Sequence, residues 1–234
     1  MTSINQIKRE LRQKGDPLRV EHSKRFFKTG KGQYGEGDVF LGLRVPEMRE
    51  IAKKYKDLPL QSIKVLLNSK IHEERLIALL ILVYKFAKEN ERRNDIYAFY
   101  IKNLKWVNNW DLVDLSAPKI VGEYLLNKNR KVLYKLAKSK NLWERRIAIV
   151  ATFAFIKNND LVDTIKIGQL LLDDKHDLIH KAVGWALREV GKKDLKVLEH
   201  FLDKHADVMP RTALRYSIER FPEKVRKSYL NNAR

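Results

Sequence analysis

The chain has 234 residues, with 48 Lys and Arg against 29 Asp and Glu, a formal net charge of +19. Hydrophobic residues make up 44%, enough to bury a core and too many for a disordered chain. There is no cysteine, which excludes disulfides, thiolate nucleophiles, iron–sulfur clusters and Cys-ligated zinc. The basic excess points to a polyanion partner, nucleic acid before an anionic membrane surface. The first twenty residues carry charges throughout, so no signal peptide is expected. The apolar run Leu76 to Tyr84 is far short of the ~18 residues needed to span a bilayer. A cytoplasmic protein is expected, associated with the nucleoid when bound to DNA.

Helix-period patterns alternate with short breaks, and period-two alternation is almost absent. Helices are predicted to begin near Ser3, Pro17, Pro46, Leu60, Glu73, Asn109, Trp143, Leu161, Asp177, Leu195 and Arg211. The one irregular stretch is the Gly-rich segment 29–38. Gly30, Gly32 and Gly35 formally match GxGxxG, but a helical pattern precedes them and no βαβ pattern follows, so a flexible loop is expected. Lys31 within it is a candidate phosphate contact.

Lys70, Lys105, Lys140 and Lys175 recur at a constant spacing of 35. Aligned on them, KIHEERLIALL, KWVNNWDLVDL, KNLWERRIAIV and KHDLIHKAVGW are apolar at offsets seven and eight: Ile77/Ala78, Leu112/Val113, Ile147/Ala148 and Ala182/Val183. Offset eleven is small or apolar, and a weaker fifth copy begins at Pro210. The length suits two helices and two turns, the unit of an α-solenoid, and the Trp-x2-Leu-Gly signature of tetratricopeptide repeats is missing. The expectation is an all-α, HEAT-like solenoid forming a single domain over 1–234, with a concave basic face.

At about 100° per residue, offsets five, six, nine, ten and thirteen fall opposite the apolar stripe. They hold Arg75, Trp110, Arg145 and His180; Asp111, Arg146 and Lys181; Asp114; Trp185; and Arg188. Two of the chain's four tryptophans therefore sit off the core stripe, beside a carboxylate and several cations. Trp110 and Asp114 are i,i+4 neighbours. Packing between helices would also explain each residue singly; together, on a basic solenoid, they point to a nucleic-acid face. His176 and His180 are also i,i+4, but no third ligand is evident, so no metal site is expected.

Asn108–Asp114 (NNWDLVD), Leu142–Ile149 (LWERRIAI), Lys181–Glu189 (KAVGWALRE) and Phe40–Arg49 (FLGLRVPEMR) resemble the AlkD-type DNA glycosylases, HEAT-like alkylation-repair proteins. The resemblance covers most of the chain. It implies a catalytic Asp at Asp114, lesion-facing tryptophans at Trp110 and Trp185, and a phosphate-binding Arg at Arg146. It also implies an N-terminal lesion-contact aromatic at Phe26 or Phe27. The face adds Arg145, Lys181, His180, Arg188 and Arg75 as DNA-binding candidates. The substrate implied is duplex DNA bearing alkylated bases, excised without flipping into a pocket. No cofactor, no membrane and no obligate protein partner are expected, and a monomer is expected. The competing readings are a non-catalytic nucleic-acid-binding solenoid and a protein-interaction scaffold.

Overall fold

A computed structural model describes residues 3–232. Among these residues the fold is all-helical, and extended backbone pairs only where Val39 bridges Ile71. The chain separates into two compact units, 1–120 and 121–234.

The first unit holds α1 (Ser3–Lys14), α2 (Pro17–Phe26), α3 (Val45–Lys54), α4 (Leu60–Leu67), α5 (His72–Lys88), α6 (Arg93–Lys102) and α7 (Trp110–Ala117). The second holds α8 (Glu123–Leu125), α9 (Lys131–Ala137), α10 (Leu142–Ala151), α11 (Phe153–Lys157), α12 (Val162–Leu170), α13 (Asp177–Lys193), α14 (Leu195–His205), α15 (Arg211–Ser217) and α16 (Glu223–Asn232). Every helix predicted from the sequence is present, with its start within one residue of the expected position. The helices not singled out from the sequence are α6, α8, α9, α11 and α16, of which α8, α9 and α11 have seven residues or fewer.

The 35-residue repeat is visible in three dimensions. Helices α5, α7, α10 and α13 each follow one repeat lysine, and Pro210 caps α15 as the fifth copy. All eight side chains at offsets seven and eight, from Ile77 to Val183, are at most 1% exposed, as are Ile81, Ser116, Ala151 and Ala186 at offset eleven. Burying a side chain of Leu or Ile size contributes roughly 1.5–3 kcal/mol, so this stripe supplies much of the stability of each unit. Within the first unit α5 packs on α3, α4 and α7; within the second, α13 packs on α10, α12, α14 and α15.

Local chemistry fixes the helix starts. Asp16 caps α2 by accepting from the Leu18 amide at 3.0 Å, with Pro17 at the first helical position. Asn141 caps α10 through the Trp143 amide at 2.8 Å. His176 caps α13, its Nδ1 accepting from the Leu178 amide at 3.1 Å. Asn109 caps α7 by accepting from the Trp110 amide at 2.8 Å.

Helices α13 and α15 cross at Gly184. A Cβ there would stand 2.4 Å from the carbonyl oxygen of Ala213 and 2.5 Å from Cβ of Tyr216. Backbone cannot yield as a flexible side chain would, so Gly184→Ala is expected to cost about 1–3 kcal/mol. Urea unfolding of the variant should show a lower midpoint; an unchanged midpoint would contradict this close approach.

Candidate functional site

Helix α5 opens with four polar residues, His72, Glu73, Glu74 and Arg75, and the fold buries all of them to 2% exposure or less. Each is used. The Glu73 carboxylate accepts from the amides of Leu41 and Gly42 at 3.0 and 2.8 Å. That turn needs Gly42, whose φ is 85° and whose Cβ would strike the Asp16 carbonyl. Glu74 pairs with Lys8 of α1 at 3.1 Å. Arg75 donates to Asp38 at 2.7 Å and to the Ser69 carbonyl at 2.9 Å.

His72 is the hub. Its Nε2 lies 2.7 Å from Asp111 of α7, and its Nδ1 lies 3.3 Å from Asp38 at the end of the Gly-rich segment. Asn109 donates its side-chain amide to the same Asp38 oxygen at 3.3 Å. Burial opposes the imidazolium, but the charge of Asp111 and the hydrogen bonds to Asp111 and Asp38 outweigh it, and the His72 pKa is pushed up to about 9. Burial likewise opposes the Asp38 carboxylate, yet His72, Arg75 and Asn109 hold its pKa below the ordinary 3.8. The cluster therefore contains two carboxylates and two cations, balanced out of water.

An aromatic group lies against this cluster. Phe40 stacks on the His72 ring at 4.8 Å, Phe27 packs against it at 4.8 Å with planes tilted by 37°, and Phe27 stacks on Trp110 at 5.3 Å with planes 21° apart. Phe26, 55% exposed, meets the Trp110 ring edge-on at 5.5 Å. Trp110 and Asp114, one turn apart on α7, both remain half-buried. The negative charge of Asp114 is felt by Tyr100, whose hydroxyl titrates well above its usual value chiefly because of burial and additionally because of that carboxylate. Tyr100 itself bonds the Ser116 hydroxyl at 2.9 Å.

In the second unit, α13 presents His180, Lys181, Trp185 and Arg188, all half-buried. The Trp185 ring rests on Phe153 at 4.3 Å. Lys181 pairs with Asp177 at 2.7 Å, and Arg188 pairs with Glu219. His180 Nε2 lies 2.5 Å from the Asp174 carbonyl oxygen.

Several sequence expectations are corrected here. Arg75 is not a DNA contact: it is sealed in the His72 cluster. Arg145 is occupied with Asp174, at 2.5 and 3.3 Å, and with the carbonyls of Ser139 and Lys140, both at 3.0 Å. It ties the turn before α10 to the turn before α13. Arg146 is 5% exposed, and its Nη1 donates to the Leu178 carbonyl at 2.6 Å, linking α10 to α13. The half-buried His180 meets a loop carbonyl. A guanidinium or imidazole in such a place satisfies carbonyls and carboxylates that would otherwise be left without partners.

In the Gly-rich segment the Gly30 and Gly32 amides are taken by Gln33 and Glu36 at 2.9 and 2.8 Å, so these two do not form an amide cradle for phosphate. Lys31 is exposed there. Sequence reasoning missed His72, Asp38 and Phe40. The signal was present as four consecutive polar residues at the head of an apolar helix. Among the described residues no group of three or more His, Asp or Glu is arranged to hold a metal ion, and no helix is long and apolar enough to cross a membrane.

An all-helical repeat protein, with an indole and a carboxylate one turn apart on a repeat helix, is the class these features define. The chain belongs to the DNA alkylation repair enzyme family, whose model matches residues 7–221. It is similar in fold to a predicted DNA alkylation repair enzyme from Enterococcus faecalis, with 18% identity, 90% of this chain and 98% of that one covered, and a TM-score of 0.71. It is also similar to AlkD2 from Streptococcus mutans, with 18% identity, 88% and 98% coverage, and a TM-score of 0.56. No match was found among curated proteins.

The His72 cluster makes stability depend on pH in a defined direction. A histidine raised from 6.5 to about 9 contributes stability that is full below pH 6.5 and is lost as pH rises through 9. Asp38, lowered from 3.8, contributes stability that is lost as the solution becomes more acidic than that value. Thermal melts should therefore show Tm falling between pH 6.5 and 9, and His72→Gln should flatten that fall. A slope unchanged by the substitution would remove His72 from the role.

Proposed function

We propose that the protein is a DNA N-glycosylase that releases N3- and N7-alkylated, positively charged purines from duplex DNA, without drawing the base into a pocket. The observation that carries this reading is the pairing on α7 of the half-buried Trp110 with the half-buried carboxylate of Asp114 one turn beyond it. Asp111, which follows Trp110 directly, is neutralised by the His72 imidazolium.

The chemistry asks for little else. An alkylated purine is already cationic, so when the N-glycosidic bond breaks the departing base takes the electron pair and becomes neutral without needing a proton. Positive charge develops on the deoxyribose, an oxocarbenium-like state. A carboxylate about 4 Å from that charge contributes ~4 kcal/mol at an effective dielectric of 20, roughly three powers of ten in rate. Asp114 then accepts the proton of the water that adds to the sugar carbon. The indole face of Trp110 adds about 0.5–2 kcal/mol by cation–π attraction. Lys31, Lys181 and Arg188 are the proposed phosphate contacts.

Asp114→Asn is expected to abolish release of 7-methylguanine from methylated duplex while leaving duplex affinity unchanged or tighter. Release at the wild-type rate would exclude Asp114 from the chemistry. A wild-type protein that binds the methylated duplex and releases nothing would instead favour the non-catalytic binding reading. Lys31→Ala and Lys181→Ala should each reduce the magnitude of the log K against log salt slope by about one; an unaltered slope would mean the lysine meets no phosphate.

A further inference from the structure

Trp110 is held on both sides of its backbone by one cluster. Asn109, which precedes it, caps α7 on the Trp110 amide and donates to Asp38. Asp111, which follows it, receives His72 Nε2 at 2.7 Å while its other oxygen accepts from the Leu112 amide at 2.8 Å. Asp38 and His72 are themselves joined at 3.3 Å. The ring is seated by the same group, because Phe27, on which Trp110 stacks, also packs against His72 at 4.8 Å, tilted by 37°.

We propose that His72 is a positioning residue for Trp110. It ties the end of the Gly-rich segment to the first turn of α7 and thereby fixes both the backbone and the ring plane of the indole. The geometry requires a group that donates in two directions at once. An imidazolium reaches Asp111 from one nitrogen and Asp38 from the other, and its flat face supports Phe27 and Phe40. Glutamine carries both its donors on a single nitrogen and so cannot span the two carboxylates from opposite sides, and it lacks the stacking face. The other charged groups at the head of α5 are committed elsewhere, Glu73 to the turn at Leu41 and Gly42, Glu74 to Lys8, and Arg75 to Asp38 and Ser69. None of them substitutes for His72 in bridging to α7.

The rate arm of the test rests on the glycosylase reading; the spectroscopic arm does not. In single-turnover release of 7-methylguanine, His72→Gln is expected to slow release about tenfold to a hundredfold, the loss that follows from a misplaced contact group. Duplex affinity should stay within about twofold. The discriminating measurement is the double-mutant cycle: in a Trp110→Ala background the same substitution should change the rate less than about twofold, because there is no indole left to position. An equal loss in both backgrounds, or no loss in the wild-type background, overturns the proposal.

Tryptophan emission of the free protein supplies the second arm. His72→Gln should alter the emission spectrum, and the difference should vanish in a Trp110→Phe background. A difference that persists without Trp110, or no difference at all, overturns the proposal whatever the outcome of the rate assay. If His72→Gln does not fold, Asp111→Asn, which keeps the side-chain shape and removes the charge holding the imidazolium, is put through both arms with the same expectations. Wild-type protein that releases no base would count against the glycosylase reading alone, leaving the emission cycle to decide the role of His72.

Discussion

Four charged side chains, His72, Arg75, Asp38 and Asp111, meet under a stack of aromatic rings where almost no water reaches them, and the first unit is organised around that meeting. Any one of them buried alone would cost several kcal/mol. Together they pair one another, and the Ser69 carbonyl and the Asn109 amide take up a further donor and acceptor, Arg75 Nε alone of its donors staying buried without a partner. Removing one partner leaves an uncompensated charge, so the cluster acts as an all-or-none joint between α5, α7 and the Gly-rich segment. Its placement next to Trp110 connects the stability of the unit to the geometry of its candidate functional helix.

That joint also sorts the acids of α7. Asp111 and Asp114 are three residues apart in sequence and chemically identical, and composition gives no reason to prefer either. The fold commits Asp111 to the His72 imidazolium and leaves Asp114 half-buried one turn beyond Trp110. The similarity to solved structures, at 18% identity, speaks for the fold; the role proposed for Asp114 rests on its place beside Trp110 on α7. The proposed chemistry is correspondingly spare, with a substrate that carries its own leaving-group activation and a protein that supplies a fixed negative charge and aromatic faces.

The cations divide in a similar manner. Arg75, Arg145 and Arg146 lie on the polar side of their repeat helices, as the periodicity requires, and yet all three serve the interior. The guanidinium carries five donors in a rigid fork, which suits it to carbonyls and carboxylates at the inner turns of stacked helices. Lysine carries one compact and strongly hydrated charge on a flexible stem, and Lys31 is exposed and Lys181 half-buried, whereas Lys85 is buried against Glu89. The net charge of +19 is a property of the whole chain, but the portion able to meet a polyanion is set by which cations the fold leaves outside.

The repeat, the helix starts and the buried stripe were legible in the sequence because they depend on short-range periodicity and on apolar residues that must leave water wherever the chain goes. Ile77, Val113, Ala148 and Val183 are buried for that reason alone. The face opposite the stripe was legible as polar, and Trp110 and Asp114 could be picked out on it as neighbours one turn apart. What only the tertiary structure decided was the fate of each polar group on that face. Asp38 reaches His72 across 34 residues and Arg75 across 37, and Asn109 reaches Asp38 across 71. No local pattern encodes such pairings, because a buried charge takes whichever opposite charge the packing brings within hydrogen-bond distance, and that distance exists only after the helices have docked.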